Sequence, residues 1–144
     1  MTASPVTWTA AELDTIGGAD EIDIASRHTD GTLRRARIVW VVRYDGAVYV
    51  RSVNGPRGAW YRGVQTRHEG RITAGGLERD ARFVEADHTP GNALDDALDD
   101  ALDAAYRTKY RRWPGPVERI TGTPARQTTL RLDPACARAC TTRH

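Results

Sequence analysis

Apolar and polar residues alternate with a period of two in several short stretches and recur with a period near four in one long stretch. β-branched and aromatic residues dominate the stretch 38–42 and recur at Ile22, Ile24, Val48 and Val50. Strands are predicted over 21–28, 32–44, 47–53, 70–74 and 78–86, and a sixth at 127–132. Asp-Gly pairs at 30–31 and 45–46 and the Gly-Gly pair at 75–76 supply tight turns for three hairpins.

The helical segments carry their own start and stop signals. Thr9 and Glu12 have the spacing of a capping box, which predicts a short helix from Ala10 to Ile16, and a second short helix is predicted over 59–66. The long helix is predicted over 92–113, ending at Pro114, because Leu94, Leu98, Leu102, Tyr106 and Tyr110 recur every fourth residue. Its opposite face carries Asp95, Asp96, Asp99, Asp100 and Asp103. We expect these aspartates to be solvated, since the loop glycine and ligand spacing of a calcium loop are missing.

Most of the predicted strands are linked by hairpins, which excludes a parallel doubly wound sheet, because parallel pairs need long crossovers. The sequence therefore predicts a mainly β (α+β) fold: a six-stranded antiparallel barrel with a short N-terminal helix and the long amphipathic helix. With 144 residues, we expect one domain over 1–132 and a flexible tail over 133–144. Cys136, Cys140 and His144 lie in that tail, and three ligands are too few for a structural zinc site, so no metal is predicted.

The charges fall in blocks that the net charge of +2 conceals. Residues 27–82 hold twelve arginines against five acids, and guanidinium groups suit phosphate or carboxylate partners. The start of the chain lacks a basic, apolar leader and no run of apolar residues is long enough for a bilayer. These observations predict a cytoplasmic protein without membrane partners.

The segment 48–63, VYVRSVNGPRGAWYRG, carries the strongest chemical signal in the basic block. A strand delivers Ser52 and Asn54 to a glycine-rich turn followed by a helix start, an arrangement that favours anion binding by backbone amides. Arg51 and Arg57 lie close by in sequence. Trp60 either offers a flat face to a ligand or packs in the core, and the sequence alone leaves both interpretations open.

The motifs RHTDGTLRRARIVWVV, YVRSVNG, AWY and EGRITAGGLERDARFVEA resemble the small deazaflavin-dependent nitroreductase-like proteins of the flavin-binding split-barrel superfamily. The pattern from TWTAAELDTIG through AWYRG resembles more closely still a family of short bacterial proteins of unassigned function. The resemblance covers residues 8–132. It implies a six-stranded split β-barrel, a homodimer, and F420 or FMN as an anionic aromatic cofactor.

The resemblance also implies roles for individual residues. The cofactor would be bound by Arg34, Arg35, Arg37, Ser52, Asn54, Gly55, Arg57 and Trp60, and Tyr61 would donate a proton or hydrogen bond to the substrate. The first hairpin departs from the family's usual Gly-Arg-Lys-Ser-Gly turn, because it reads Arg-His-Thr-Asp-Gly at residues 27–31. An aspartate beside a phosphate is unfavourable unless it points away.

Three functions follow as hypotheses. The first is a small oxidoreductase that uses reduced F420 or FMN on a small organic substrate. The second is a cofactor-free isomerase, cyclase, hydrolase or small-molecule binder in the same pocket, which the altered hairpin favours. The third is binding of single-stranded nucleic acid through arginines interleaved with aromatic residues, against which the acidic helix weighs. His68 and Glu69 are expected to be a surface pair.

Overall fold

The computed structural model describes residues 8–86 and 92–135. The strands are β1 Ile22–Ser26, β2 Arg37–Val39, β3 Val42–Tyr44, β4 Ala47–Val50, β5 Glu69–Ala74, β6 Leu77–Glu85 and β7 Leu130–Pro134. The helices are α1 Ala10–Gly18, α2 Ala59–Arg67, α3 Ala93–Lys109, α4 Pro114–Ile120 and α5 Thr123–Arg126, and a 3-10 turn occupies Gly55–Arg57.

These strands form one antiparallel sheet in the order β2-β1-β5-β6-β7-β4-β3. Strands β2 and β3 are its two edges, yet only Trp40 and Val41 separate them in the chain. That short link spans at most about 10 Å, whereas the edges of a flat seven-stranded sheet would lie about 29 Å apart. The sheet is therefore curled into a half-barrel, and the predicted antiparallel split-barrel class is confirmed.

The single strand predicted over 32–44 is two strands. Residues 37–39 pair with β1, while residues 42–44 pair with β4 at the other edge of the sheet. The sheet consequently has seven strands where six were predicted. Strand β7 also runs to Pro134, two residues beyond the predicted end of the domain.

The tight turns are as predicted, and α1 begins at Ala10 as predicted but ends at Gly18, two residues past the expected end at Ile16. Asp45 and Gly46 join β3 to β4 with φ of 50° and 78°, the left-handed conformation that an Asp-Gly hairpin turn adopts. The Thr9 hydroxyl accepts a hydrogen bond from the Glu12 amide, and the Glu12 carboxylate accepts one from the Thr9 amide. This reciprocal capping box fixes the start of α1.

The long helix differs from its prediction in length. It ends at Lys109, four residues short of the expected boundary, and Pro114 opens α4 instead of only closing α3. Proline is well suited to a first helical turn, where its missing amide proton costs nothing. Helices α4 and α5 were not predicted.

The expected faces of the long helix are also partly wrong. Asp99 and Asp103 are only 3% and 2% exposed, whereas Leu94 is 82% exposed. The reason is Arg51, whose side chain reaches α3 from the end of β4 and forms ion pairs with both buried carboxylates. A buried guanidinium requires such partners, so α3 presents these aspartates to the sheet.

Two clusters of buried apolar residues hold the elements together. The first joins α1 and α2 to the sheet and includes Ile24, Val48, Ile72, Phe83 and Leu132. The second joins α3 and α4 to β3 and β4 and includes Val42, Tyr49, Leu102, Tyr106 and Tyr110. Among the described residues, no helix combines the length and apolarity that crossing a bilayer requires.

Candidate functional site

A cleft of about 500 Å³ opens where the link between β2 and β3, the end of β4 and the start of α2 meet. This volume lies within the usual range of small-molecule sites. Four of the predicted site residues line it: Arg37, Ser52, Asn54 and Trp60. The structure therefore brings together the β2 arginine, the turn after β4 and the indole at the start of α2.

The other predicted residues do not line this cleft. Arg34 extends toward α2, where its guanidinium lies 3.4 Å from the Thr66 hydroxyl. Arg35 and Arg57 are exposed at the surface. Gly55 has a φ of +69°, and a Cβ there would press against Pro124, so glycine is needed to build the turn itself.

Ser52 is a buried residue of the cleft whose side-chain hydroxyl is unsatisfied. It is 1% exposed, and its amide donates a hydrogen bond of 2.8 Å to the Thr128 hydroxyl. Its own hydroxyl has no hydrogen-bond partner in the described structure. A buried hydroxyl without a partner is costly, so this oxygen is poised to bind a ligand group. The hydroxyl lies against Gly58, where a Cβ would overlap it.

The start of α2 supplies further hydrogen-bond donors beside Ser52. Gly58 is the N-cap and provides no capping side chain, so the amides of the first helical turn have no intrahelical acceptor. The helix dipole adds positive potential at this end. Gly58, Ala59 and Trp60 all border the cleft, which makes this end of it suited to an anionic group.

Arg51 borders the same cleft, but two aspartates of α3 neutralise its charge. Its guanidinium forms ion pairs of 2.5 Å with Asp103 and 3.3 Å with Asp99, and it donates a 2.9 Å hydrogen bond to the Thr129 hydroxyl. Arg126 also pairs with Asp103. Arg51 therefore does not form the anion cradle that the sequence suggested, and it anchors the chain next to Ser52 instead.

Among the residues that line the cleft, Glu21, Trp40 and Pro116 were not predicted as site residues. Glu21 directly precedes β1, and Pro116 lies in the unpredicted helix α4. Neither has a local signal, because only the curl of the sheet brings them to β4. Trp40 had one usable signal, since it is the sole aromatic residue in a run of β-branched residues.

Tyr61 lies outside the cleft. Its hydroxyl donates a 3.3 Å hydrogen bond to Glu85, and burial, followed by the nearby Glu85 carboxylate, raises the pKa of Tyr61 to about 12. His68 binds the other oxygen of Glu85 at 2.7 Å, and this hydrogen bond is the main cause that lowers the pKa of Glu85. His68 and Glu69 are both partly exposed, as expected for surface residues, and Glu69 pairs with Arg67.

No metal site accompanies these groups within residues 8–86 and 92–135, where no three His, Cys, Asp or Glu side chains are grouped to hold an ion. The predicted tail residues Cys136, Cys140 and His144 lie outside the described residues.

Comparison with solved structures places the fold among known proteins. A conserved hypothetical protein from Mycobacterium tuberculosis, Rv2991, matches with a TM-score of 0.51 and 14% identity, over 94% of this chain and 84% of that one. An F420 reductase matches with a TM-score of 0.49 and 15% identity, over 85% of this chain and 92% of that one. The likeness to Rv2991 shows a shared fold. No curated protein matches the chain significantly.

One family model covers most of the sequence. Residues 12–132 match DUF2255, described as an uncharacterized protein conserved in bacteria. The matched region runs from α1 through the middle of β7, so it includes the whole sheet up to its last strand and every residue that lines the cleft. The chain therefore belongs to the DUF2255 family.

Proposed function

We propose that the cleft binds an anionic aromatic cofactor, F420 or FMN, and that the protein is a small oxidoreductase that uses it on a small organic substrate. The observation that carries this proposal is the buried Ser52 hydroxyl, which has no partner and lies beside the open N-terminus of α2. This donor set suits a phosphate or carboxylate group.

Each group of residues that lines the cleft would contact a different part of the cofactor. Ser52 and the first amides of α2 would hold the phosphate, with Arg37 adding positive charge at the opposite wall. Trp60 would lie against the flat ring system. Asn54 is held in place by a 3.1 Å hydrogen bond from Arg119 and would fix the ligand's polar edge. When bound, either cofactor supplies the hydride chemistry, and the protein binds, orients and excludes water.

A second candidate function is a cofactor-free enzyme or small-molecule binder in the same cleft. Two observations favour it: Glu21 adds a carboxylate to the lining, and the charge of Arg51 is already neutralised by Asp99 and Asp103. The cleft is thus less cationic than the sequence predicted. A polyanionic cofactor would bind more weakly under this alternative.

Titration of the purified protein with F420 and with FMN, followed by fluorescence, tests the proposal. We expect saturable binding of at least one cofactor. Ser52→Ala removes the unpartnered donor, and Gly58→Ala displaces it by steric overlap, so each variant should weaken binding by about tenfold. Arg35→Ala, at an exposed residue outside the cleft, is the matched control and should bind as the parent does.

Absence of binding by both cofactors would overturn the proposal and leave the second candidate function.

Tyr61→Phe tests the predicted role of Tyr61 as proton donor separately from cofactor binding. Because the Tyr61 hydroxyl is bonded to Glu85 outside the cleft, we expect cofactor affinity to be unchanged in this variant. A loss of turnover at unchanged affinity would assign the proton-donating role to Tyr61.

A further inference from the structure

A second cavity, of about 390 Å³, adjoins the cleft at its far end from α2. The two cavities share Glu21, Trp40 and Pro116, and the second is completed by Asp20, Tyr110 and Trp113. We name this second cavity the aromatic-acid pocket. Neither the proposed cofactor nor the residues assigned to its phosphate explain why three aromatic rings and two carboxylates meet here.

The rings form a compact cluster with one member open to solvent. Trp40 stacks on Tyr110 with ring centroids 3.9 Å apart and planes 3° apart. Trp113 is tilted by 47° to Trp40 and by 48° to Tyr110, with centroids 6.1 Å and 6.3 Å away. Trp113 is 44% exposed, so the cluster is not simply core. The tilted arrangement leaves ring surface available from the pocket.

The charges that surround the pocket favour a cation. The π-face of an indole or phenol is electrostatically negative and attracts a cation within about 6 Å of the ring centroid. Asp20 and Glu21 add two carboxylates at the rim, and within residues 8–86 and 92–135 neither carboxylate has a hydrogen bond or ion pair. Carboxylates beside aromatic faces form the kind of site that recognises alkylated ammonium groups, and Asp20 already interacts electrostatically with Lys109.

The protein itself already places one cation against this cluster. The Lys109 ammonium lies 5.2 Å from the centroid of the Tyr110 ring and donates a 2.6 Å hydrogen bond to the Val41 carbonyl. Lys109 does not line the pocket, and Arg37 lines the first cavity only. Among the described residues, those that line the aromatic-acid pocket therefore include no basic side chain.

We propose that the aromatic-acid pocket binds an organic cation, with an alkylated ammonium group over Trp40 and Trp113 and its charge balanced by Asp20 and Glu21. The proposal does not depend on the cofactor, because none of the groups assigned to the cofactor phosphate borders this pocket.

The test uses choline and its neutral isostere 3,3-dimethylbutan-1-ol, which have the same shape and differ in charge. Binding is followed by NMR through the four tryptophan indole N–H signals. Trp8, whose indole donates a buried 2.8 Å hydrogen bond to the Leu132 carbonyl, is an internal reference. We expect choline to shift the Trp40 and Trp113 signals saturably, and the isostere to bind at least about fivefold more weakly.

Variants then assign the effect to the pocket. Trp113→Leu and Glu21→Gln should each weaken choline binding by about threefold or more. Glu118→Gln removes an exposed carboxylate that lines neither cavity and should leave the affinity unchanged. The dispersed spectrum of each variant verifies its fold. Equal binding of choline and the isostere, shifts spread over all four indoles, or no saturation in the millimolar range would overturn the proposal.

Discussion

Arg51 is the most deeply buried basic side chain among the described residues, with 1% of its surface exposed. Its guanidinium lies between the Asp99 and Asp103 carboxylates and 5.6 Å from the centroid of the Tyr106 ring. Such a pair need not stabilise the fold more than apolar residues would, but removing one partner leaves charge buried without compensation. The position of Ser52 in the cleft therefore depends on the ion pairs that its neighbour Arg51 forms with Asp99 and Asp103.

Replacing the guanidinium tests this dependence. Arg51→Met removes the buried guanidinium that pairs with both Asp99 and Asp103, and we expect it to lower the free energy of unfolding by about 3 to 5 kcal/mol. Arg35→Met, at an exposed arginine, should change it by less than about 0.5 kcal/mol. Urea denaturation of both variants measures the difference.

A triple variant distinguishes lost charge pairing from lost packing. Arg51→Met combined with Asp99→Leu and Asp103→Leu replaces the whole cluster by apolar groups, and we expect it to recover much of the lost stability. If Arg51→Met alone unfolds at the same urea concentration as the parent protein, the pairing has no structural importance.

At the scale of elements, the link between β2 and β3 decides the architecture. The Tyr110 hydroxyl accepts a 3.1 Å hydrogen bond from the Val41 amide and donates one of 2.6 Å to the Asp20 carbonyl. The Lys109 ammonium donates to the Val41 carbonyl. The end of α3 thus holds the two residues at which the chain passes from one edge of the sheet to the other.

These contacts explain which elements the sequence could predict. The capping box at Thr9 and the turn at Asp45 depend on neighbours in the chain, so local pattern was sufficient. The continuous run of β-branched and aromatic residues from Ile38 to Val42 is equally compatible with one long strand, and only pairing with β1 and β4 divides it. Likewise, an aspartate that faces Arg51 looks in sequence like one that faces water.

The cleft, like the fold, was predictable from sequence only where it depends on residues that are close together in the chain. Ser52, Asn54 and Trp60 follow one another within a single strand, turn and helix start, and local reasoning placed them together. Glu21 comes from a segment distant in sequence, so its approach depends on how far the sheet curls. Local signals therefore found the end of the cleft that holds Ser52 and Trp60 and not Glu21 at its rim.

The environment of Lys109 makes the stability of this region depend on pH. Burial lowers the pKa of Lys109 from 10.5 to about 8, partly offset by Asp20. Between these values the unfolded chain keeps a proton that the folded protein has released, so the free energy of unfolding rises with pH. Below pH 8 both states are protonated and this contribution is constant.

Comparison of the parent with Lys109→Met isolates that contribution. We expect the parent to gain stability relative to the variant between about pH 7.5 and about pH 9.5, measured by urea denaturation. The raised pKa values of Tyr61, Tyr106 and Tyr110 lower the stability of both proteins at higher pH, so this contribution cancels in the comparison. Parallel pH profiles for the two proteins would contradict the prediction.

At the scale of the molecule, many of the arginines are already engaged in ion pairs on the sheet. Asp80 on β6 pairs with both Arg27 and Arg71, and Glu12 on α1 pairs with Arg79. The Glu12–Arg79 pair joins the basic segment 27–82 to the helix before it, whereas both Asp80 pairs lie within that segment. These ion pairs also divide the basic surface into neutralised patches, which is unfavourable for tracking a continuous nucleic-acid backbone. The charge blocks thus contribute to folding more than their sequence pattern indicates.

Strands β1 and β5 approach each other closely at Gly70, within the curled sheet that borders both cavities. Gly70 is buried opposite Ser26, and a Cβ at this position would overlap the Ala25 carbonyl oxygen and come within 2.8 Å of the Ser26 Cα. Backbone atoms cannot yield as a flexible side chain can. We therefore expect Gly70→Ala to lower the free energy of unfolding by roughly 3 kcal/mol or more.

Gly18→Ala is the matched control for this prediction, because a Cβ at Gly18 has no atom within 4 Å and the residue ends α1. It should stay within about 1 kcal/mol of the parent. Since β1 carries edge strand β2, and β2 carries Arg37, Gly70→Ala should also weaken ligand binding in the cleft at temperatures where the variant is still folded. Equal urea midpoints for Gly70→Ala and Gly18→Ala would show that the sheet accommodates a side chain there. The close approach of β1 and β5 would then not be what holds the half-barrel in its curled form.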